Sequence, residues 1–251
     1  PVGPALPVPA GGAPGQPAGL GPQPSTAHGP SPWLQGGHIS ANGQPVWLLH
    51  APGLYGRGGN PYLDASGQPW ADSAEQFAWL GWAAALLGTG LDGAWRPDVV
   101  HGHDWHSGLT FAYLRQLGAP RPATVFTIHN LAYQGVFPAE VCARLGLPEA
   151  LFQLNGLEFH GQLSFMKAGL KYSDAITTVS PTYAHEITTA EQGCGLDGVL
   201  RQRQAVLHGI LNGVDDSVWS PENDPLVQPG YDAEHLDGKA QAKTRLQQQM
   251  K

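Results

Sequence analysis

Cysteine is nearly missing from this chain. With only Cys142 and Cys194 present, a disulfide-stapled scaffold is excluded, and both are read as free thiols in a reducing compartment. Positive charge is scarce too: Lys and Arg total 13 against 20 Asp and Glu, and the net charge of −7 argues against a nucleic-acid or anionic-membrane partner, since both demand a basic face. An anionic substrate would instead need local positive groups. No apolar run approaches the length of a membrane span, and no charged segment followed by an apolar core opens the chain. A soluble, cytoplasmic protein is expected. Its 251 residues, 41% of them hydrophobic, suffice for the core of one large domain or two small ones.

Residues 1–31 are rich in Pro, Gly and Ala with almost no charge, a composition that buries too little apolar surface to hold a fold, so a flexible or loosely attached segment is expected there. Asn42-Gly43, between His38-Ile-Ser and Pro45-Val-Trp-Leu-Leu-His50, predicts a hairpin whose Trp47-Leu-Leu run joins the main sheet. Ala51 to Trp70 reads as a Gly- and Pro-rich loop carrying Tyr55, Tyr62 and Asp64. Asp72 to Leu87 reads as a helix capped by Asp72 or Ser73, with Phe77, Leu80, Ala84 and Leu87 at helical spacing for packing and Gly88-Thr-Gly at its end.

The centre of the chain follows. Asp98-Val-Val-His101 is a short apolar run ending in polar residues, the pattern of a buried parallel strand, with residues 102–108 as the loop beyond it. Leu109, Ala112, Tyr113 and Leu117 then fall at helical spacing until Gly118-Ala-Pro stops the helix. Ala123 to Ile128 is a second β-rich run, ending in His129 and Asn130. Two strands joined by a helix make a right-handed βαβ unit with both polar clusters on one sheet edge, the edge where open α/β sheets bind ligands. Further on, the pattern gives short helices between Pro138 and Leu154, broken near Gly146 and Pro148, and a helix from Leu163 to Tyr172. A strand over Asp174 to Val179, a helix opened by Ser180-Pro181 with Glu186 in its second turn, and a last strand over Val206 to Leu211 complete the main body. The expected fold is α/β and Rossmann-like over residues 32–232, followed by a charged, Gln-rich helix over 233–251.

Four motifs carry a resemblance. His101-Gly-His103-Asp104-Trp105-His106-Ser-Gly, Phe126-Thr-Ile-His129-Asn130-Leu-Ala-Tyr133-Gln134-Gly135, Val179-Ser-Pro-Thr-Tyr183-Ala-His-Glu186-Ile and Leu211-Asn212-Gly-Val-Asp215-Asp-Ser-Val-Trp219-Ser-Pro, in this order, resemble the bacterial glycogen synthases and plant starch synthases. The resemblance runs from about Trp47 to the C-terminus. It implies a retaining glycosyltransferase of the GT-B architecture, which moves glucose from ADP-glucose to the nonreducing 4-hydroxyl of an α-1,4-glucan such as glycogen, with no cofactor and no bound metal. His101, His103, His106 and Asp104 do place four potential zinc ligands within six residues. The strand alternation points His101 and His103 the same way only if the strand continues, however, and His106 lies past Trp105.

A reaction of this kind develops positive charge on the sugar ring and negative charge on the departing diphosphate, so dipoles and donors must be preorganised around both. By the resemblance, His129 is the active-site histidine whose imidazole and backbone carbonyl lie against the glucosyl unit; from the residues alone it is as readily a core histidine at a strand end. Asn130 and Asn212, also at strand ends, can hydrogen-bond sugar hydroxyls or phosphate oxygens without titrating. Asp104 can accept hydroxyl protons of the donor or acceptor sugar and Trp105 can offer an apolar face to a ring, or both can be structural. Tyr62, Tyr133 and Gln134 are candidates for acceptor or loop contacts. Glu158 and Glu186, which would suggest a hydrolytic carboxylate pair, are not brought together by anything in the sequence.

Two expected family features are not found: a Lys-x-Gly-Gly-Leu loop after the first strand, and a second Rossmann-like domain supplying Arg and Lys for the diphosphate and Glu near the nucleotide sugar. The chain, which begins at Pro1 rather than Met, is therefore expected to be a fragment lacking the first strand and the C-terminal domain, holding the acceptor-side half of the cleft and inactive alone. The alternatives are a noncatalytic glucan-binding remnant, or a related retaining glucosyltransferase with another nucleotide-sugar donor such as UDP-glucose.

Overall fold

In the computed structural model, which describes residues 5–7, 24, 32–39, 42–91, 95–118 and 120–250, the Asn42-Gly43 turn brings two strands together. Gly43 takes φ +70°, open to a residue without Cβ, and β2 (Trp33–His38) pairs antiparallel with β3 (Pro45–His50) in full register. A first strand, β1 (Ala5–Pro7), extends this sheet along Trp33–Gln35. That part of the segment expected to be loose is thus ordered in a sheet, and most of residues 1–31 lie outside the described residues. Trp47-Leu-Leu belongs to this separate three-stranded sheet and not to the main one. Its alternation gives the reason: Leu48 is exposed while Trp47 and Leu49 are half-buried, the pattern of a strand with one wet face.

Helix α1 (Ser73–Gly88) is apolar on nearly every side, so several stripes compete for burial. The two tryptophans decide it. Trp79 and Trp82 are fully buried beside Ala78, Ala85 and Leu86, and Leu80, expected inside, is 42% exposed, because the largest side chains gain most by leaving water. Asp72 does not cap the helix with its side chain; its carboxylate is taken by Arg57 at 2.7 and 2.9 Å.

The next strand, β4 (Val99–His103), runs straight into α2 (Asp104–Leu117), so the loop expected over residues 102–108 is strand and helix instead. Asp104 makes this possible by taking φ +53°, a left-handed conformation that Asp tolerates, which turns the chain within one residue. The strand β5 (Ala123–Ile128) has the expected bounds. A small antiparallel sheet then forms from β6 (Val136–Pro138), β7 (Glu158–Phe159) and β8 (Gln162–Ser164), with α3 (Val141–Arg144) in the intervening loop. Leu163 pairs in β8, so α4 (Phe165–Tyr172) starts later than expected, with Ser164 Oγ accepting from Lys167 N at 3.1 Å.

β9 (Ala175–Thr178) is followed by α5 (Pro181–Glu186), capped as expected by Ser180, whose Oγ accepts from Tyr183 N at 2.9 Å. α6 (Asp197–Gln202) and β10 (Leu207–Gly209) complete the main unit. The main sheet is wholly parallel in the order β10-β9-β5-β4. Phe126, Ile128 and Ile176 point to one face, where Phe111 of α2 meets Phe126 edge-on at 5.5 Å and α2 packs between α1 and α4. The chain forms two units, Pro1–Ile210 and Leu211–Lys251. In the second, Asp232 accepts from the amides of Glu234 and His235 at 2.8 and 2.6 Å, so the terminal helix α7 (Asp237–Gln249) starts after that turn rather than at Ala233. Among the described residues no helix is long and apolar enough to cross a membrane.

One ion pair ties the sheet's amino-terminal edge. Asp174 accepts two bonds from Arg121 at 2.8 and 2.7 Å and two more from Thr124, at 2.9 Å from the amide and 2.8 Å from the hydroxyl. The Arg121 bond first, then those from Thr124, hold this carboxyl well below the usual carboxylate range, against the opposing effect of burial. Since the folded-state pKa is depressed, the stabilisation is complete above the unfolded value of about 4 and fades as pH falls through the folded one. Asp174→Asn is therefore expected to destabilise the protein at neutral pH, with the gap to wild type closing as the pH drops below about 4; urea unfolding at both pH values checks this.

Candidate functional site at the carboxyl edge of the parallel sheet

Parallel register places the ends of β4 and β5 side by side, with His103 paired to Thr127. The residues just beyond those strands, Asp104 on one side and His129 and Asn130 on the other, therefore meet at the sheet's carboxyl edge. Asp104 Oδ1 accepts from the His129 amide at 2.8 Å and, more weakly, from the Asn130 amide at 3.4 Å. This left-handed aspartate thus grips the backbone of the neighbouring strand's exit. Asn130 Oδ1 in turn accepts from Ala132 N at 3.0 Å, and Tyr183 of α5 donates no proton here but accepts one, from Leu131 N to its phenol oxygen at 3.1 Å. Loop 129–135 is consequently held from the start of α2, from α5 and from within.

The rest of the loop is fixed at its far end. Gln134 Nε2 donates to the Cys194 carbonyl at 2.9 Å, and the Gln134 carbonyl accepts from Met166 N at 3.0 Å. Tyr133 is 68% exposed. Trp105 is mostly buried against Phe77, 4.6 Å between ring centroids, and against Phe165 at 6.0 Å, with Gly135 laid on its ring. What remains uncovered of it lines a shallow cavity of about 380 Å³ with Ala132, Tyr133, Gln134, Gly135 and Val136. Tyr62 reaches the same neighbourhood from its loop: its hydroxyl lies 2.9 Å from His106 Nε2, and the His106 ring lies tilted 4.2 Å from that of Trp105. His129, Asn130, Asp104, Trp105, Tyr133, Gln134 and Tyr62 are thus brought into one connected neighbourhood. Asn212 lies in the other unit, on an exposed stretch.

The histidines that suggested zinc have separate tasks. His101 Nε2 lies 2.6 Å from Thr127 Oγ1, which lies 2.5 Å from Thr177 Oγ1; His103 Nδ1 lies 3.1 Å from His129 Nε2; His106 turns to Tyr62. Among the described residues no group of three His, Cys, Asp or Glu side chains is arranged to hold a metal ion. Burial lowers the pKa of His106 against the pull of Asp104, and burial, then His101 and His129, lower that of His103, again opposed by Asp104. Both rings stay neutral to lower pH than a free imidazole. Glu158 is occupied locally, accepting from Gly161 N at 2.6 Å.

Sequence reasoning passed over His103 and Tyr183 as parts of this arrangement. Tyr183 carried a signal, its place in the third motif. His103 stands in the first motif, but its pairing with His129 depends on how β4 slides against β5. The Asp104 grip makes a testable statement: in Asp104→Ala, amide hydrogen exchange at His129 and Asn130 is expected to quicken by about tenfold or more, as loss of a hydrogen bond to a charged acceptor implies. Unchanged exchange there would remove Asp104 from this role.

Residues 23–202 match the family described as the starch synthase catalytic domain. A glycogen synthase of Albidiferax ferrireducens is 60% identical over 206 residues, 81% of this chain and 42% of that protein. One of Variovorax paradoxus is 53% identical over 236 residues, 88% of this chain and 48% of that protein. The catalytic domain of starch synthase IV from Arabidopsis thaliana, solved bound to ADP and acarbose, matches with a TM-score of 0.65 at 30% identity, over 87% of this chain and 44% of that one. The chain spans less than half the length of these relatives.

Proposed function

The chain belongs to the starch synthase catalytic-domain family, and from that premise we propose that the protein transfers glucose from ADP-glucose to the nonreducing 4-hydroxyl of an α-1,4-glucan, with retention. The observation that carries this reading is the exposed His129 at the carboxyl edge, its amide gripped by Asp104 and its ring met by His103. In this proposal the His129 imidazole and carbonyl lie against the glucosyl unit, where fixed dipoles serve a transition state that gains charge. Asn130 offers an amide to sugar hydroxyls, Tyr133 and Gln134 flank the cavity beside Trp105, and Tyr62 contacts the acceptor. Asp104 acts through the backbone of residues 129 and 130, whose amides its Oδ1 accepts. Asn212 rests on its motif alone. The neighbour bound to ADP and acarbose supports a nucleotide donor and a glucan acceptor, and the cysteine-poor composition supports a cytoplasmic setting.

The test is incorporation of labelled glucose into maltooligosaccharide by the intact gene product, with ADP-glucose and UDP-glucose compared and the new linkage read by NMR. Transfer from ADP-glucose into α-linked product is expected. Transfer from UDP-glucose alone would change the donor, and glucan binding with no transfer from either would leave a binding protein.

A further inference from the structure

His103 has no role in the reading above, yet its ring meets that of His129. Its Nδ1 lies 3.1 Å from His129 Nε2, with the ring centroids 5.3 Å apart and tilted by 38°. His103 is itself firmly placed. It ends β4, its carbonyl accepts from Ser107 Oγ at 3.0 Å, and its ring lies 4.3 Å from that of His101. His101 is anchored in turn through Thr127 to Thr177, so a polar ladder crosses three strands on the sheet face opposite α2 and α4 and ends at His129.

We propose that His103 is a positioning residue for the transfer: its Nδ1 contact fixes the plane and the tautomer of the His129 imidazole, leaving the other ring nitrogen for the substrate. This rests on the transfer reading above. A neutral imidazole has two tautomers, and which one is present is set by the hydrogen bond its second nitrogen makes. The contact must therefore be one N–H donated to one bare nitrogen. The ionisable groups facing His103 are His101, His129 and Asp104; burial and the two histidines act against a proton on His103, and Asp104 acts for one. Loss of this contact leaves the His129 backbone in place, since Asp104 holds it independently, but frees the ring to turn.

Three substitutions in the intact protein separate this from a packing role. The Asn amide sits where Nδ1 sits in histidine, the Gln amide where Nε2 sits, and Leu offers neither. His103→Leu and His103→Gln are expected to lower kcat about tenfold, the worth of one hydrogen bond, with KM for maltooligosaccharide unchanged within about twofold; His103→Asn is expected to stay within about threefold of wild type. Ring 15N shifts of His129 are expected to report one tautomer in wild type and His103→Asn, and an average of two in His103→Gln. Equal activity in Asn and Gln variants, a loss confined to KM, or a His129 tautomer indifferent to position 103 would each overturn the proposal. Should His103→Leu fail to fold, the Asn and Gln pair decides. A wild-type protein without transfer activity would refute the transfer reading, and the ring shifts would still judge the contact.

Discussion

His129→Ala is expected to lower glucosyl transfer by the intact protein on the order of 10²- to 10³-fold, the range seen when one preorganised donor at a charge-developing centre is removed. The thermal midpoint is expected to move little, because His129 is exposed and its amide keeps its bond to Asp104 whatever side chain it bears. This separation between activity and stability is what distinguishes a site residue from a strand-end histidine. A variant that retained more than about a third of wild-type transfer would return His129 to the structural reading, since such a loss is below the worth of a single ordinary hydrogen bond.

Gly108→Ala has the opposite profile. The helices α2 and α4 approach so closely at Gly108 that an added Cβ would lie 1.9 Å from the Phe165 carbonyl oxygen and 2.7 Å from its carbon. Both are backbone atoms, so no rotamer change relieves the clash; one helix must move off the other. Both helices pack in the core beneath the parallel sheet, and cores resist such shifts. The expected cost is about 3 kcal/mol or more, at the upper end of overpacking effects. For a protein of this size it should appear as a fall of roughly 6–12 °C in thermal midpoint. A fall below about 2 °C would show that the helices slide apart freely. Because α4 follows directly on β8 and loop 129–135 bonds to Met166, activity is expected to fall with stability in this variant.

How much of this could be read in advance depended on where the determinants lie along the chain. The strand Ala123–Ile128 was legible to the residue, since a β-branched run bounded by Pro122 and a polar pair has few other readings. So was the Ser180 cap with Pro181 behind it. The strands at 136–138, 158–159 and 162–164 were not, because two or three residues carry no period to recognise. The early start of α2 was hidden by a backbone conformation at Asp104 that residue type permits but does not announce. In α1 the failure was one of excess: apolar residues on all sides left the buried stripe to be chosen by tertiary packing.

The site divides the same way. His129, Asn130, Tyr133 and Gln134 lie in one motif, so their proximity came with it. The contacts that fix them do not: Asp104 to His129 spans 25 residues, His103 to His129 spans 26, and Gln134 to the Cys194 carbonyl spans 60. These depend on strand register and on loop paths across the sheet edge. Trp105 shows the limit of residue type as a guide, for its ring is mostly occupied by Phe77, Phe165 and Gly135 and offers a substrate only the part that lines the shallow cavity.

The most direct test of the central claim, that the carboxyl edge around His129 is where the glucosyl unit sits, is an NMR titration of the isotope-labelled intact protein with ADP-glucose, followed by maltooligosaccharide. Saturable shifts are expected in the His129 ring and in the amides of Asn130 and Gln134, with Glu158 and Glu186 unmoved. Saturable shifts that leave residues 129–135 untouched would contradict it.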